Sequence, residues 1–418
     1  MVRLKHIAIL AFPGYGHVNP TLEMSRCLIE AGHRITYVVD ERFVPRVTAV
    51  GASAVTWDSA RSRFSQGEVT GDEIQALGLD YLRESRDVIL PRTLEAFRDD
   101  VPDLILYDLE SFFTARAAAR LWDRPTAQYF PYFASNEHFS LAMEMFDGAV
   151  ESVHESIGLV MEYLAGEGED PHALWGSFMA NFNAERNLVF LPRELQPLQE
   201  TFDEARYTFA GHSIAANQHG VGSWPGADPT DPRRVVLITL GTEMNDRADF
   251  FELCERAFAG GDWRVVMTVG PGNLPEGRPL ADHIEVHEWL DFSTVLPHAD
   301  AVVCHAGIGT MLEAVSFGKP MVVVTYTPGD RFDARRAQEA GLALELPGDQ
   351  VTVESLRASV DRVVGDPETA RHLARMRTDM LAAGGPYRAA RTVEGWLDEL
   401  TGPAVGAGPV HGNERNRL

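Results

Sequence analysis

Three groups of residues in this 418-residue chain have the types and spacing for chemistry. The densest is the run His305-Ala306-Gly307-Ile308-Gly309-Thr310, a short loop of small residues. An apolar segment, Val302-Val303-Cys304, leads into it, and helical spacing runs from Met311 to Phe317. A loop that opens a helix offers unpaired backbone N–H groups and the positive end of the helix dipole, which suits a diphosphate. His305 and Thr310 flank it as donors, with Gly307 and Gly309 between them. Glu313, one turn further on, is spaced to accept from ribose hydroxyls. Asp330, after the apolar run Met321 to Thr325, either meets sugar hydroxyls or caps the helix that follows.

The second group is a candidate base and its holder. His17 follows the apolar strand His6 to Phe12 in the turn Pro13-Gly14-Tyr15-Gly16-His17. An imidazole there can take a proton from a hydroxyl at neutral pH, or it can merely cap the helix expected from Asn19-Pro20 to about Ala31. Asp108 ends the strand Asp103 to Tyr107. A carboxylate on the second imidazole nitrogen would fix its tautomer and stabilise the imidazolium; alternatively Asp108 caps the helix Ser111 to Trp122. The third group is Thr242, closing Leu240-Gly241-Thr242, and Trp289 after Ile284 to His287. The Thr242 hydroxyl could touch a diphosphate or sit in a plain turn, and the Trp289 indole could stack on a pyrimidine base or pack in a core.

The elements that must position these residues alternate in type. Strands are expected at 6–12, 34–39, 52–56, 103–107, 126–130 and 187–191, and helices at 72–97 and 111–122. Residues 137–182 have helix-like spacing with many Met and aromatic side chains. The Gly/Pro/Asp-rich stretch 219–233 reads as a linker. The rhythm restarts with strands at 234–240, 264–269, 284–287, 301–304, 321–325 and 343–346. Such β-α-β alternation predicts an α/β protein of two Rossmann-like domains facing across a cleft, with ligands at the carboxyl ends of the strands. The expected boundaries are 1–218 for the first domain, 219–233 for the linker and 234–385 for the second. A helix at 386–400 and a loose tail at 401–418 complete the chain. Phe130, Phe133, Phe139 and Met143 either line an apolar acceptor pocket or belong to the core.

Composition narrows the partners. A net charge of −24 argues against nucleic acid and anionic membranes, and no run reaches the roughly 18 apolar residues of a membrane helix. Cys27, Cys254 and Cys304 are odd in number, widely spaced and form no CxxC pair, as in a reduced, cytoplasmic protein. The opening MVRLKHIAILAF reads as a first strand, not a signal peptide. No cluster in the sequence has metal-ligand spacing, and there is no Walker or G-x-S-x-G pattern.

Taken in order, Trp289, His305-Ala306-Gly307, Glu313, Pro320 and an Asp near position 330 resemble the donor-binding motif of nucleotide-sugar-dependent glycosyltransferases. The nearest likeness is to the bacterial macrolide glycosyltransferases, relatives of the plant small-molecule glucosyltransferases. Gly16-His17-Val18-Asn19-Pro20 likewise resembles that family's catalytic histidine loop. The likeness spans almost the whole chain, weakest in Ser59 to Leu90 and Ala142 to Ala184. It implies the GT-B arrangement, a His17–Asp108 dyad, inverting transfer without metal or cofactor, and a last helix that crosses back to the first domain. It also implies a nucleotide-sugar donor such as UDP-glucose and a hydrophobic acceptor such as a macrolide. Two departures leave uridine versus thymidine, and the sugar, open. Asp291 and Phe292 stand where the family often has Pro-Gln, and Gly329-Asp330, or with a one-residue shift Asp330-Arg331, align with its sugar-binding Asp-Gln or Glu-Gln, so that one partner is lost either way. A dTDP-deoxysugar transferase, a non-catalytic nucleotide-sugar-binding partner and a nucleotide-sugar epimerase are the alternatives. Monomer and homodimer are both open.

Overall fold

The computed structural model describes residues 4–60, 80–145, 185–213, 222–227, 230–242, 244–275 and 279–401. The expected tail beyond Thr401, most of the 137–182 stretch and the front of the 72–97 helix lie outside these described residues.

The first half builds one sheet. Its elements are β1 (His6–Leu10), α1 (Tyr15–Glu30), β2 (Arg34–Asp40), α2 (Val44–Ala49) and β3 (Ser53–Trp57), then α3 (Leu90–Ala96), β4 (Leu104–Tyr107), α4 (Phe112–Trp122) and β5 (Thr126–Phe130), and finally α5 (Leu141–Met145), β6 (Asn187–Val189) and β7 (Tyr207–Phe209). All strand pairs are parallel, in the order β3-β2-β1-β4-β5-β6-β7. Every residue of β1 is buried, because helices cover both faces of a parallel sheet. That is why its sequence, HIAIL, is a near-continuous apolar run rather than an alternating one.

The second half repeats the plan. It runs β8 (Arg234–Thr239), α6 (Ala248–Ala257), β9 (Trp263–Thr268), β10 (Ile284–His287), α7 (Phe292–Val295), β11 (Ala301–His305), α8 (Ile308–Ser316), β12 (Met321–Thr325), α9 (Pro328–Glu339), β13 (Ala343–Pro347), α10 (Val353–Gly365), α11 (Pro367–Ala382) and α12 (Gly385–Thr401). Its sheet is also all parallel, ordered β10-β9-β8-β11-β12-β13. Strand order reverses between β1 and β4 in the first sheet and between β8 and β11 in the second. Connections leave such a point in opposite directions and open a crevice at the strands' carboxyl ends.

The final helix belongs to the first core. Ala389, Ala390, Val393, Trp396 and Leu397 fall on one helical face and pack in one cluster with Val18, Leu22 and Leu28 of α1. Each large side chain so buried contributes about 1.5–3 kcal/mol.

Three features depart from the sequence reading. The helix after β1 starts at Tyr15, not at Asn19, so His17 lies in its first turn and Pro20 lies inside it. Gly14 takes the cap position with no side-chain cap bond, and the Asn19 Oδ1 atom is buried without a partner. Strand β7 was not expected; three residues are too few to show a period. Finally, Trp224 anchors the Gly/Pro-rich stretch. It is 4% exposed, its N–H donates to Thr294 Oγ1 at 2.9 Å, and its Nε1–H donates to Glu285 Oε2 at 2.9 Å.

Candidate active site

The first crevice joins His17 and Asp108. Asp108 follows β4 and is completely buried. Its Oδ2 accepts from the backbone N–H of Phe12 at 2.7 Å and lies 2.9 Å from His17 Nδ1, while its Oδ1 accepts from Ser111 N–H at 2.9 Å. The carboxylate therefore takes both of the alternatives the sequence left open: it ties down the start of α4 and holds the imidazole. Tyr129 Oη donates to the His17 carbonyl at 3.2 Å, and Phe12 lies against the imidazole with ring centroids 4.9 Å apart. Bonding at Nδ1 fixes the ring's tautomer and leaves proton transfer to Nε2.

One neighbour was invisible in the sequence. Glu110 brings its carboxylate beside the same imidazole, so His17, Asp108 and Glu110 have ligand-type atoms within 4.8 Å of one another. The scattered sequence positions gave no sign of this cluster. Protein hydrogens already reach both carboxylates: Asp108 as above, and Glu110 from the Tyr132 hydroxyl at 2.8 Å.

The second crevice is built from backbone and glycine. Helix α8 begins at Ile308, with Gly307 at its cap position and no side-chain cap. Gly309 and Thr310 thus lie in its first turn rather than in a loop, which brings Thr310 beside the unpaired N–H groups. His305 ends β11 and stands between two glycines. A Cβ on Gly307 would come within 2.7 Å of His305 Cε1, and one on Gly241 would clash with the same atom. Gly241 has φ +70°, open to glycine and costly for other residues. Thr242, next to it, is exposed.

Glu313 is half-buried on α8, and burial, helped by the charge of Asp291, pushes its carboxyl up to about 7. Trp289 is half-buried and reaches across the cleft, its ring centroid 5.9 Å from that of Tyr15 on α1. Asp291, where the family often has proline, caps α7 by accepting from Ser293 N–H at 2.9 Å.

Asp330 is a helix cap. Its Oδ2 accepts from the N–H groups of Tyr326 at 3.1 Å and Thr327 at 2.9 Å, and the Asp330 N–H donates in return to Thr327 Oγ1. That reciprocal box occupies one carboxylate oxygen.

The four candidate acceptor residues divide between core and surface. Phe130 and Phe133 are 0% and 1% exposed, so they present no surface to a ligand. Phe133 and Phe139 instead pack on Phe332 of α9, with centroids 5.4 and 6.1 Å away, and join the two halves. Arg336 on the same helix donates to the Leu195 carbonyl at 3.2 Å. Of the four, only Met143 is exposed, at 57%. Apolar residues at a strand end satisfy core and pocket equally well in sequence, and the partner that claims these lies some two hundred positions away.

Comparison with known proteins agrees with this construction. The erythromycin biosynthesis protein CIII-like C-terminal domain matches residues 256–395. The demethyllactenocin mycarosyltransferase of Streptomyces fradiae is 34% identical over 412 residues, covering 94% of this chain and 87% of that protein. The oleandomycin glycosyltransferase of Streptomyces antibioticus is 31% identical, covering 94% and 91%. Among solved structures, the calicheamicin glycosyltransferase CalG4 superposes with a TM-score of 0.81 at 35% identity, covering 96% of this chain and 100% of that one. Among the described residues no helix is long and apolar enough to cross a membrane. The two Rossmann-like sheets, their crevices and these relatives together show that the chain belongs to the GT-B glycosyltransferases of the macrolide glycosyltransferase family.

Proposed function

We propose that this glycosyltransferase moves a sugar, with inversion, from a nucleoside diphosphate donor in the second crevice to a hydroxyl of a hydrophobic natural product such as a macrolide. The observation that carries the reading is the 2.9 Å contact of His17 Nδ1 with a fully buried Asp108. His17 Nε2 takes the acceptor's hydroxyl proton, and the oxygen forms its bond to the anomeric carbon as the bond to the diphosphate breaks. Asp108 stabilises the imidazolium so formed. The leaving diphosphate's charge falls on the N–H groups at the start of α8, with His305 and Thr310 beside them. Trp289 would stack on the base and Glu313 would accept from the ribose.

We take the reaction to need no metal, because donors and the helix dipole at the start of α8, with His305 and Thr310, are placed to meet the diphosphate's charge. Full activity in excess chelator is expected; loss that added metal restores would overturn it.

UDP-glucose is the donor the motif resemblance implies. One observation favours the second reading, a dTDP-linked deoxysugar. On either alignment one of the family's two sugar-binding side chains is lost, and Asp330 Oδ2 is held in the helix cap. A sugar with fewer hydroxyls asks less of such a site. The relatives' names support tailoring of an antibiotic as the setting.

The test mixes the protein with UDP-glucose, other UDP-sugars and dTDP-sugars, each with a panel of macrolides and aromatic polyketides, and reads products by mass. A gain of one sugar from one donor class, absent in His17→Ala, supports transfer and fixes the donor. Isomerised donor without any acceptor product would make the chain an epimerase. Donor binding without turnover on any acceptor would make it a non-catalytic partner.

A further inference from the structure

One carboxylate beside the candidate base has no part in the scheme above. Glu110 lies two residues beyond Asp108, in the turn between β4 and α4. Its Oε2 is 3.6 Å from His17 Nδ1, and its side chain is about one-third exposed, at 32%. Tyr132 Oη donates to the carboxylate, 2.8 Å from Oε1 and 2.9 Å from Oε2. The same tyrosine meets the His17 ring edge-on, with centroids 5.6 Å apart. Three groups from two connections therefore converge on one edge of the imidazole.

Among the described residues, the titratable groups Asp108, Tyr81, Tyr129 and Tyr132 around Glu110 are acidic or neutral, in contrast to His17 itself. The titratable groups that act on Glu110 are His17, Asp108 and Tyr132. Around them stand Tyr129 from β5 and Tyr81, whose ring packs edge-on against Phe12 with centroids 4.8 Å apart and whose hydroxyl lies 3.5 Å from Ser111 Oγ. No lysine or arginine is among these groups. Burial is the main cause that raises the Glu110 carboxyl above its ordinary range; Asp108 adds to it, while His17 and the Tyr132 hydroxyl pull the other way. The imidazole and the Glu110 carboxylate thus favour each other's charged forms.

We propose that Glu110, held in place by Tyr132, is a positioning residue for His17: a second carboxylate at its Nδ1 edge that strengthens the base. The proposal rests on His17 being the base. When the acceptor proton arrives at Nε2, the ring carries N–H at both nitrogens and one positive charge. Asp108 accepts the Nδ1–H directly, at 2.9 Å. Glu110, at 3.6 Å, is beyond hydrogen-bond range and acts through its charge. The proton later leaves Nε2 for solvent, and both carboxylates are unchanged. Asp108 fixes the tautomer; Glu110 tunes how readily the ring takes its proton.

Removing an anion makes the ring harder to protonate and a weaker base. In Glu110→Gln the acid limb of the kcat/KM profile should therefore move to lower pH, by about half a unit to one unit. The plateau kcat should fall about threefold, as a weaker base requires. KM for donor and acceptor should stay within about twofold. Tyr132→Phe removes the donor that favours the charged carboxylate and should shift the limb the same way by less. Glu110→Asp keeps the charge and should recover most of the profile, which a packing defect would not allow.

A proton-observed titration of the His17 ring, its signal assigned by loss in His17→Gln, reads the same coupling without turnover. An unmoved limb and an unmoved ring titration in Glu110→Gln overturn the proposal. So does a rise in acceptor KM with the limb unmoved, which would make Glu110 an acceptor contact. If His17→Ala retains its transfer rate while the ring titration still shifts in Glu110→Gln, the base assignment fails and the coupling itself stands.

Discussion

The two crevices share a topology and differ in material. Each lies where strand order reverses, between β1 and β4 in one half and between β8 and β11 in the other. The first is made of side chains: a buried carboxylate takes hydrogens from Phe12 and Ser111 backbone and from His17. The second is made of backbone, with Gly241 and Gly307 on either side of His305 and a helix opening at Ile308. The difference follows from the tasks proposed for them. A base must be one side chain, held in one tautomer, with an adjustable proton. A diphosphate wants several N–H donors at short range, which only backbone can crowd together. The first crevice should thus be sensitive to polar substitutions that keep shape, and the second to an added methyl group.

The largest expected effect is at His17. Replacing it with alanine should lower kcat/KM about a thousandfold, within the span of general-base catalysis, while donor affinity measured by calorimetry stays as it was. Equal loss of donor affinity would mean the crevices are not separable. Asp108→Asn keeps the shape and exchanges an acceptor oxygen for a donor where Phe12 N–H and His17 both need acceptance. A fall in kcat of roughly a hundredfold is expected, with a stability loss of about 1–3 kcal/mol from unpaired buried groups. A normal rate with lowered stability would reduce Asp108 to a helix cap.

Gly241→Ala asks the converse question of the second crevice. Its Cβ would meet the His305 ring from a backbone angle that disfavours it. Donor binding should weaken about tenfold, or roughly 1.4 kcal/mol, while kcat at saturating donor changes little. If kcat falls and binding holds, His305 acts on the reacting centre rather than on the diphosphate.

The same contrast decides what the sequence disclosed. The backbone-built crevice is local: an apolar strand, small residues and a helical period lie within Val302 to Phe317, so the chain itself spells them out. Only the point where the loop ends was misplaced, because Gly307 caps α8 without a side chain to mark it. The side-chain crevice is assembled from Phe12, His17, Asp108, Ser111 and Tyr132, and the contacts exist only once β1 pairs with β4 and β4 with β5. His17 and Asp108 could be picked out singly, each with a capping alternative. Glu110 could not, since nothing about a glutamate after a strand points to a tyrosine twenty-two positions on. Phe133 and Phe139 show the same limit: their partner, Phe332, belongs to the other half.

The smallest expected effect tests whether the second crevice is backbone alone. Glu313 is a weakened acid in that crevice, its pKa held up to about 7 by burial and by Asp291. Near pH 7 the free protein therefore holds this group partly protonated. Ribose hydroxyls donating to it would favour the carboxylate and lower that value in the complex. Binding must then release protons, and affinity must rise as pH climbs through about 7 and level off above it. We expect UDP-glucose or a dTDP-sugar, whose diphosphate diester has no proton to lose in this range, to bind a few-fold more tightly at pH 8 than at pH 6, with a fraction of a proton released at pH 7. Calorimetry in two buffers of different ionisation enthalpy measures that fraction. In Glu313→Gln both the slope and the release should vanish, leaving a flat affinity a few-fold weaker than the wild-type plateau. Proton uptake, or a wild-type slope that survives in Glu313→Gln, would remove Glu313 from the ribose and leave backbone, His305 and Thr310 as the whole of the second crevice.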